Sequence, residues 1–142
     1  MRYRERLWPA WWVFLATALV IPASLLVFLP ISQLAGVISA VGLYGAIVVV
    51  LLTTAPLIEV DDRMLRVGRA QIERSFLGSA TAYTGSDAVA ERGQRLDARA
   101  FLVLRGWIPG VARITLDDAT DPTPYWLVST RNPEGLAAAL TA

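Results

Sequence analysis

The chain has 142 residues, 55% of them hydrophobic, and a formal net charge of +1, with 13 arginines, no lysine, no cysteine and no histidine. The missing Cys and His exclude disulfides, thiolate metal sites and the commonest general base, and the small net charge offers no broad basic surface for nucleic acid. No cofactor, no metal site and no enzymatic activity are expected on this composition.

Residues 2, 4 and 6 are arginines set against the single Glu5, immediately before 52 consecutive residues, Leu7 to Ile58, without Asp, Glu, Lys or Arg. A bilayer core takes about 20 apolar residues per helix, so this run suits two spans joined by a short turn. Trp8, Trp11 and Trp12 stand where indole rings anchor at headgroup level. The first span is placed at residues 9–29, with Pro22 expected to kink its middle because proline has no N–H to give the preceding turn. The second is placed at residues 34–55. In it Ala35, Ser39, Gly42 and Ala46 form a stripe of small residues, the kind that lets helix backbones approach closely in lipid. The stripe packs against the first span or makes a contact with a protein partner or a second copy of the chain. A cleaved signal peptide fits poorly, since the apolar run is long and lacks a small-x-small site.

Arg63, Arg66, Arg69 and Arg74 follow the second span, while the turn between the spans carries no charge. By the positive-inside bias both termini face the cytoplasm of an inner (plasma) membrane. The chain then divides into a helical hairpin over residues 1–56 and a cytoplasmic β-rich domain over residues 57–142. Strands are expected at Leu57 to Val60 and Met64 to Val67, turning at Asp61 and Asp62, then at Ala70 to Phe76 and Ala80 to Thr84. A short helix over Ala88 to Arg95 is expected to be capped by Ser86 or Asp87. Phe101 to Arg105 and Val111 to Leu116 read as consecutive strands, and Tyr125 to Thr130 as the last. Asn132, Pro133 and Glu134 are a strong helix start: an Asx cap, proline at the first position and an acid in the first turn. Short strands closed by one terminal amphipathic helix suggest a pleckstrin-homology-like bent sheet or barrel.

Three groups of residues are candidates for function. Arg63, Arg66 and Arg69, with Arg131 near the start of the last helix, are candidates for binding lipid headgroups or other anions. Ala35, Ser39, Gly42, Ala46 and the loop residue Trp107 are candidates for partner contact. Asp117, Asp118 and Asp121 form the one carboxylate cluster that suggests a hard cation. Their Asp, Thr and Pro surroundings read more simply as turn chemistry.

The opening Arg4-Glu5-Arg6-Leu7-Trp8 with Trp11 and Trp12, and the closing run from Asp121 to Arg131 followed by Pro133, resemble an actinobacterial two-span membrane protein family known as domain of unknown function 3093. The resemblance covers nearly the whole chain. It implies an inner-membrane protein and brings no activity, substrate or catalytic residue with it. The expected function is therefore a non-enzymatic scaffold or adaptor that presents its domain to protein partners beside the lipid bilayer. An anionic-lipid headgroup module is the alternative, and a metal-dependent enzyme at the Asp117, Asp118 and Asp121 loop is the last choice.

Overall fold

A computed structural model describes residues 3–141, arranged as two compact units. Arg2, counted above in the arginine flank, lies outside the described residues.

One unit, Trp8–Ala55, is the helical hairpin. Its first arm runs from Trp11 to Phe28 as α1 (Trp11–Thr17) and α2 (Val20–Phe28), and its second is α3 (Gln33–Thr53). Both arms are long and apolar enough to cross a membrane; the 21 residues of α3 extend about 31 Å at 1.5 Å per residue. The first arm breaks at Ala18 and Leu19. Pro22 has no N–H for the Ala18 carbonyl, which instead accepts from Ile21 at 3.0 Å, a tighter turn than the α-helix makes. Tyr44 of α3 donates its hydroxyl to the Phe14 carbonyl at 2.9 Å beside this break, and Thr17 bonds back to Val13 at 2.9 Å. The Phe14 carbonyl also accepts from the Ala18 N–H at 3.0 Å, so the Tyr44 bond adds a second donor there and ties α3 to the end of α1. Gly36 lets α3 approach α2: a Cβ there would stand 3.3 Å from Leu25 Cδ2.

The other unit joins a short N-terminal segment to everything from Pro56 onward. Arg4, Glu5 and Arg6, expected only as a charged flank, belong to strand β1 (Tyr3–Arg6). That strand pairs antiparallel with β2 (Leu57–Val60), from Tyr3 opposite Val60 to Arg6 opposite Leu57. The ladder continues past the strands, since the Leu7 N–H donates to the Pro56 carbonyl at 2.9 Å. The expected division at residue 56 therefore assigns the first residues of the β-rich unit to the hairpin. Hydrophobic periodicity is a local property and does not specify pairing between segments about 50 residues apart.

β2, β3 (Met64–Val67) and β4 (Ala70–Glu73) extend the first sheet in the order β1-β2-β3-β4. Gly68 turns β3 into β4 at φ +59, a left-handed conformation that glycine adopts without steric cost. A 3-10 turn over Arg74–Phe76 leads into the second sheet, formed by β5 (Leu77–Tyr83), β6 (Phe101–Val103), β7 (Val111–Leu116) and β8 (Tyr125–Ser129). Its order is β5-β7-β8-β6. β6 does not form a hairpin with β7, as adjacent strands joined by a short loop suggest; it pairs parallel with β8 at the sheet edge, Phe101 opposite Trp126. The helix α4 (Gly85–Arg92) precedes it. It starts ahead of the expected Ser86 or Asp87 cap, with Thr84 in the cap position, and Gly93 ends it before Arg95. The chain closes with α5 (Pro133–Thr141).

The main core lies between the sheets. Leu7, Ile58, Val60, Leu65 and Val67 meet Ile114, Trp126 and Val128, and Leu136 of α5 completes the layer. Leu7, Ile58, Leu65 and Leu136 are fully buried, each contributing on the order of 2 kcal/mol by removal from water. A smaller cluster on the other face of the second sheet joins Ala88 of α4 to Val111, Tyr125 and Leu127. β8 is therefore covered on both sides, which explains its unbroken apolar run Tyr-Trp-Leu-Val.

Candidate functional site

At the start of α5 the chain seats one of its own carboxylates. Asn132 caps the helix, its Oδ1 accepting from the Gly135 N–H at 3.0 Å, as the sequence suggests. Glu5 of β1 reaches the same corner. Its Oε2 accepts from the Arg131 N–H at 2.9 Å, and its Oε1 accepts from the hydroxyls of Thr130 and Tyr3, each at 2.5 Å. Thr130 is fully buried and Tyr3 half-buried. Burial, and then the hydrogen bond to Glu5, push the Tyr3 phenol up to about 12. At the other end of α5, Arg74 donates to the Ala139 and Leu140 carbonyls at 3.1 and 3.0 Å, and to the Asp61 carbonyl at 3.1 Å. A cation on the last helical carbonyls satisfies acceptors left over by the helix and complements its dipole.

The register of the first sheet separates the four arginines that the sequence groups together. Ile58, Val60, Leu65 and Val67 face the core, so their neighbours in each strand face outward. On the outward face Arg4 lies opposite Glu59 and Glu59 opposite Arg66, giving a row across three strands with ion-pair distances of 3.8 and 3.7 Å. Arg6 lies one row nearer the point where the chain leaves for the hairpin, opposite Leu57. Arg69 follows Gly68, whose N–H donates to the Leu57 carbonyl at 2.9 Å, and so sits at that same end. Arg63 belongs to the opposite end, in the turn where the Asp61 carboxylate accepts from the Arg63 and Met64 N–H groups at 2.9 and 2.7 Å. Those two bonds hold the Asp61 carboxyl below the usual range. A cleft of about 510 Å³ at this end is lined by Asp62, Arg63, Met64, Glu73, Arg74 and Ser75, of mixed charge. Arg131 stands apart at the α5 corner, which Glu5 occupies.

The remaining candidates have structural engagements. Asp118 Oδ1 accepts from the Thr120 N–H and hydroxyl at 3.0 and 2.7 Å, which holds its carboxyl below the usual range, and Asp121 Oδ1 accepts from the Thr123 N–H at 2.9 Å. These are side chains closing their own turns. Among the described residues no group of three acidic side chains is placed to hold a metal ion. Trp107 packs at the edge of the main core, half-buried, with its indole nitrogen buried and without a hydrogen-bond acceptor. Along α3, Gly36 and Ala40 are buried while Ala35 and Ser39 are half-buried, and Gly42 and Ala46 are exposed. The small-residue stripe thus straddles the border of the α2 contact and does not coincide with it.

A polar cluster that the sequence reading omits lies under α4. Glu91 is 1% exposed, with Oε1 at 3.4 Å from Arg95 and Oε2 at 3.6 Å from Arg113. The Arg113 guanidinium stands 5.5 Å from the Tyr125 ring centre and 5.8 Å from that of Tyr83, within cation–π range. The carboxylate is held by ion pairing alone, its Oε2 buried without a hydrogen-bond donor, on a helix face that otherwise carries only Ala88 into the sheet.

A family model described as a protein of unknown function (DUF3093) matches residues 2–140. The chain belongs to this family. Comparison with the curated proteins and with the solved structures gave no match.

In this DUF3093 chain the residues that organise the surface come from both sides of the apolar run. Arg4, Arg6 and Glu5 precede it; Glu59, Arg66 and Thr130 follow it. A signal for β1 is present, since Tyr3, Glu5 and Leu7 alternate with Arg4 and Arg6 at the period of two that a half-buried strand requires. The i,i+4 spacing of Asp87, Glu91 and Arg95 is the corresponding signal for the α4 cluster.

Proposed function

We propose that this protein is a non-enzymatic scaffold or adaptor of the inner membrane, anchored by a two-span hairpin and presenting one cytoplasmic domain to a protein partner. The observation that carries the reading is the four-residue pairing of β1 with β2. The strands on either side of the apolar hairpin form one ladder, so a hairpin that crosses the bilayer has both flanks on the same side. Arg4, Arg6, Arg66 and Arg69 on those flanks favour the cytoplasmic side. The antiparallel run β1 to β4, followed by β5, β7, β8 and a closing helix, supports a pleckstrin-homology-like barrel, with α4 and the parallel β6 as an addition to that plan. The non-enzymatic part rests on how the reactive side chains are used: Glu5, Glu91, Asp118 and Asp121 each hold a turn, a helix or a strand end.

The chain has no native cysteine, so single cysteines report position unambiguously. Arg4→Cys and Arg63→Cys are expected to resist an impermeant thiol reagent in intact cells and to react once the membrane is permeabilised. Labelling of either in intact cells overturns the topology. Purification of the full-length protein from its native membrane in mild detergent, with mass measurement of the intact particle, is expected to show a stoichiometric protein companion. A particle of one chain with lipid alone overturns the adaptor reading.

A further inference from the structure

The outward face of the first sheet is charged asymmetrically along the strands. The two rows nearest the hairpin exits carry Arg4, Arg6, Arg66 and Arg69 against Glu59 alone, four positive charges to one negative. The far end carries Asp61, Asp62 and Glu73 against Arg63 and Arg74, the latter bonded to the Asp61 carbonyl and to the carbonyls that end α5. Arg6 is exposed two residues before Trp8, and Arg69 is exposed one residue after Gly68, where a Cβ would lie 3.6 Å from Pro56. The positive rows are therefore tied by covalent connection and strand register to the two points where the apolar run begins and ends.

We infer that this face binds the phosphate-bearing headgroups of acidic phospholipids, with Arg6 and Arg69 as the nearest contacts and Arg4 and Arg66 as the second row. The inference rests on the membrane reading above and narrows the anion-binding candidates. Arg63 is excluded because it lies at the far end of the strands, where Asp61, Asp62 and Glu73 offset it and Arg74. Arg131 is excluded because it belongs to neither row, lying instead at the start of α5, where its backbone N–H donates to Glu5. The occupant is lipid because headgroups are what an inserted apolar run brings next to residues 6 and 69, and an anionic leaflet complements the sign of the charge. Glu59 divides its charge between Arg4 and Arg66, which holds both guanidiniums on the outward face and keeps the row from self-repulsion.

The test uses the full-length protein in a zwitterionic detergent, titrated with phosphatidylglycerol or phosphatidylcholine, with bound lipids counted by native mass spectrometry. Each arginine near an anionic surface is worth about a fivefold preference. The wild type should favour phosphatidylglycerol by tenfold or more, less at high salt. Arg6→Gln with Arg69→Gln should remove most of that preference while leaving the Arg4–Glu59–Arg66 row and the melting temperature intact. Arg63→Gln with Arg131→Gln should retain it. Equal binding of the two lipids by the wild type overturns the inference and leaves an acidic protein as the occupant. Loss of preference in the Arg63 and Arg131 variant, with retention in the Arg6 and Arg69 variant, overturns the residue assignment. The membrane reading fails separately, if alkaline carbonate releases the protein from its native membrane without detergent.

Discussion

Glu5 and Thr130, 125 positions apart in the chain, are joined by a hydrogen bond of 2.5 Å that holds the first strand to the start of the last helix. The same carboxylate takes the Arg131 N–H and the Tyr3 hydroxyl, so one side chain satisfies three donors from both ends of the sequence. Replacing it takes the short-range acceptor from the buried Thr130 hydroxyl and leaves it the Tyr3 oxygen at 3.3 Å. Glu5→Ala should cost about 2–3 kcal/mol, the range for losing a charged partner from buried donors. Thr130→Val removes this donor and also the oxygen that accepts from the Asn132 N–H at 3.1 Å, so it should cost about 1–2 kcal/mol. A double-mutant cycle read by urea denaturation in detergent should give a coupling of at least about 0.5 kcal/mol; strict additivity would show that the two side chains do not act together.

The Tyr3 phenol gives the β-rich unit a dependence on alkaline pH. Its folded value, about 12, lies above the ordinary 10.0, so the folded chain holds this proton more tightly than the unfolded one. The resulting stabilisation is complete below pH 10 and is lost as the pH rises from 10 through 12. Tyr3→Phe should remove that loss while leaving other alkaline titrations in place. Parallel difference curves for wild type and variant across this window would sink the assignment.

Under α4 the two directions of charge removal should differ. Glu91 is buried, whereas the side chains of Arg95 and Arg113 are 47% and 34% exposed. Arg113→Met strips a buried carboxylate of one of its two cations and should cost about 3 kcal/mol. Glu91→Met leaves two arginines that can turn to water and should cost about 1 kcal/mol or less. Thermal melts of the two variants decide this, and the reverse order would mean that the carboxylate is not the costly member of the pair.

Because Leu7 bonds to Pro56, the hairpin is expected to be dispensable for the fold of the β-rich unit. A chain with residues 8–55 replaced by a four-residue Gly-Ser linker should be water-soluble and unfold cooperatively, since the linker only has to close an antiparallel turn. Residues 57–142 alone lack β1 and Leu7, which is fully buried; loss of that side chain by itself costs about 2–5 kcal/mol. Urea melts should show the linked chain more stable by at least that amount. Equal stability would mean that β1 contributes nothing to the core.

The sequence by itself determined the apolar run, the positions of most strands, the proline break in the first arm and the cap at Asn132. Each depends on residues within a turn or two of one another: hydrophobic periodicity, a missing N–H, a side chain bonding three residues ahead. The tertiary structure alone decided the pairing of β1 with β2, the parallel placement of β6, the seat of Glu5 beside Thr130 and the division of the arginines between the two ends of a sheet. Backbone ladders are made of the same N–H and C=O groups in every strand, so local sequence does not state which distant strand is the partner. That choice is made where Leu7, Ile58, Trp126 and Leu136 share one core, and the surface charges fall where the register of that core puts them.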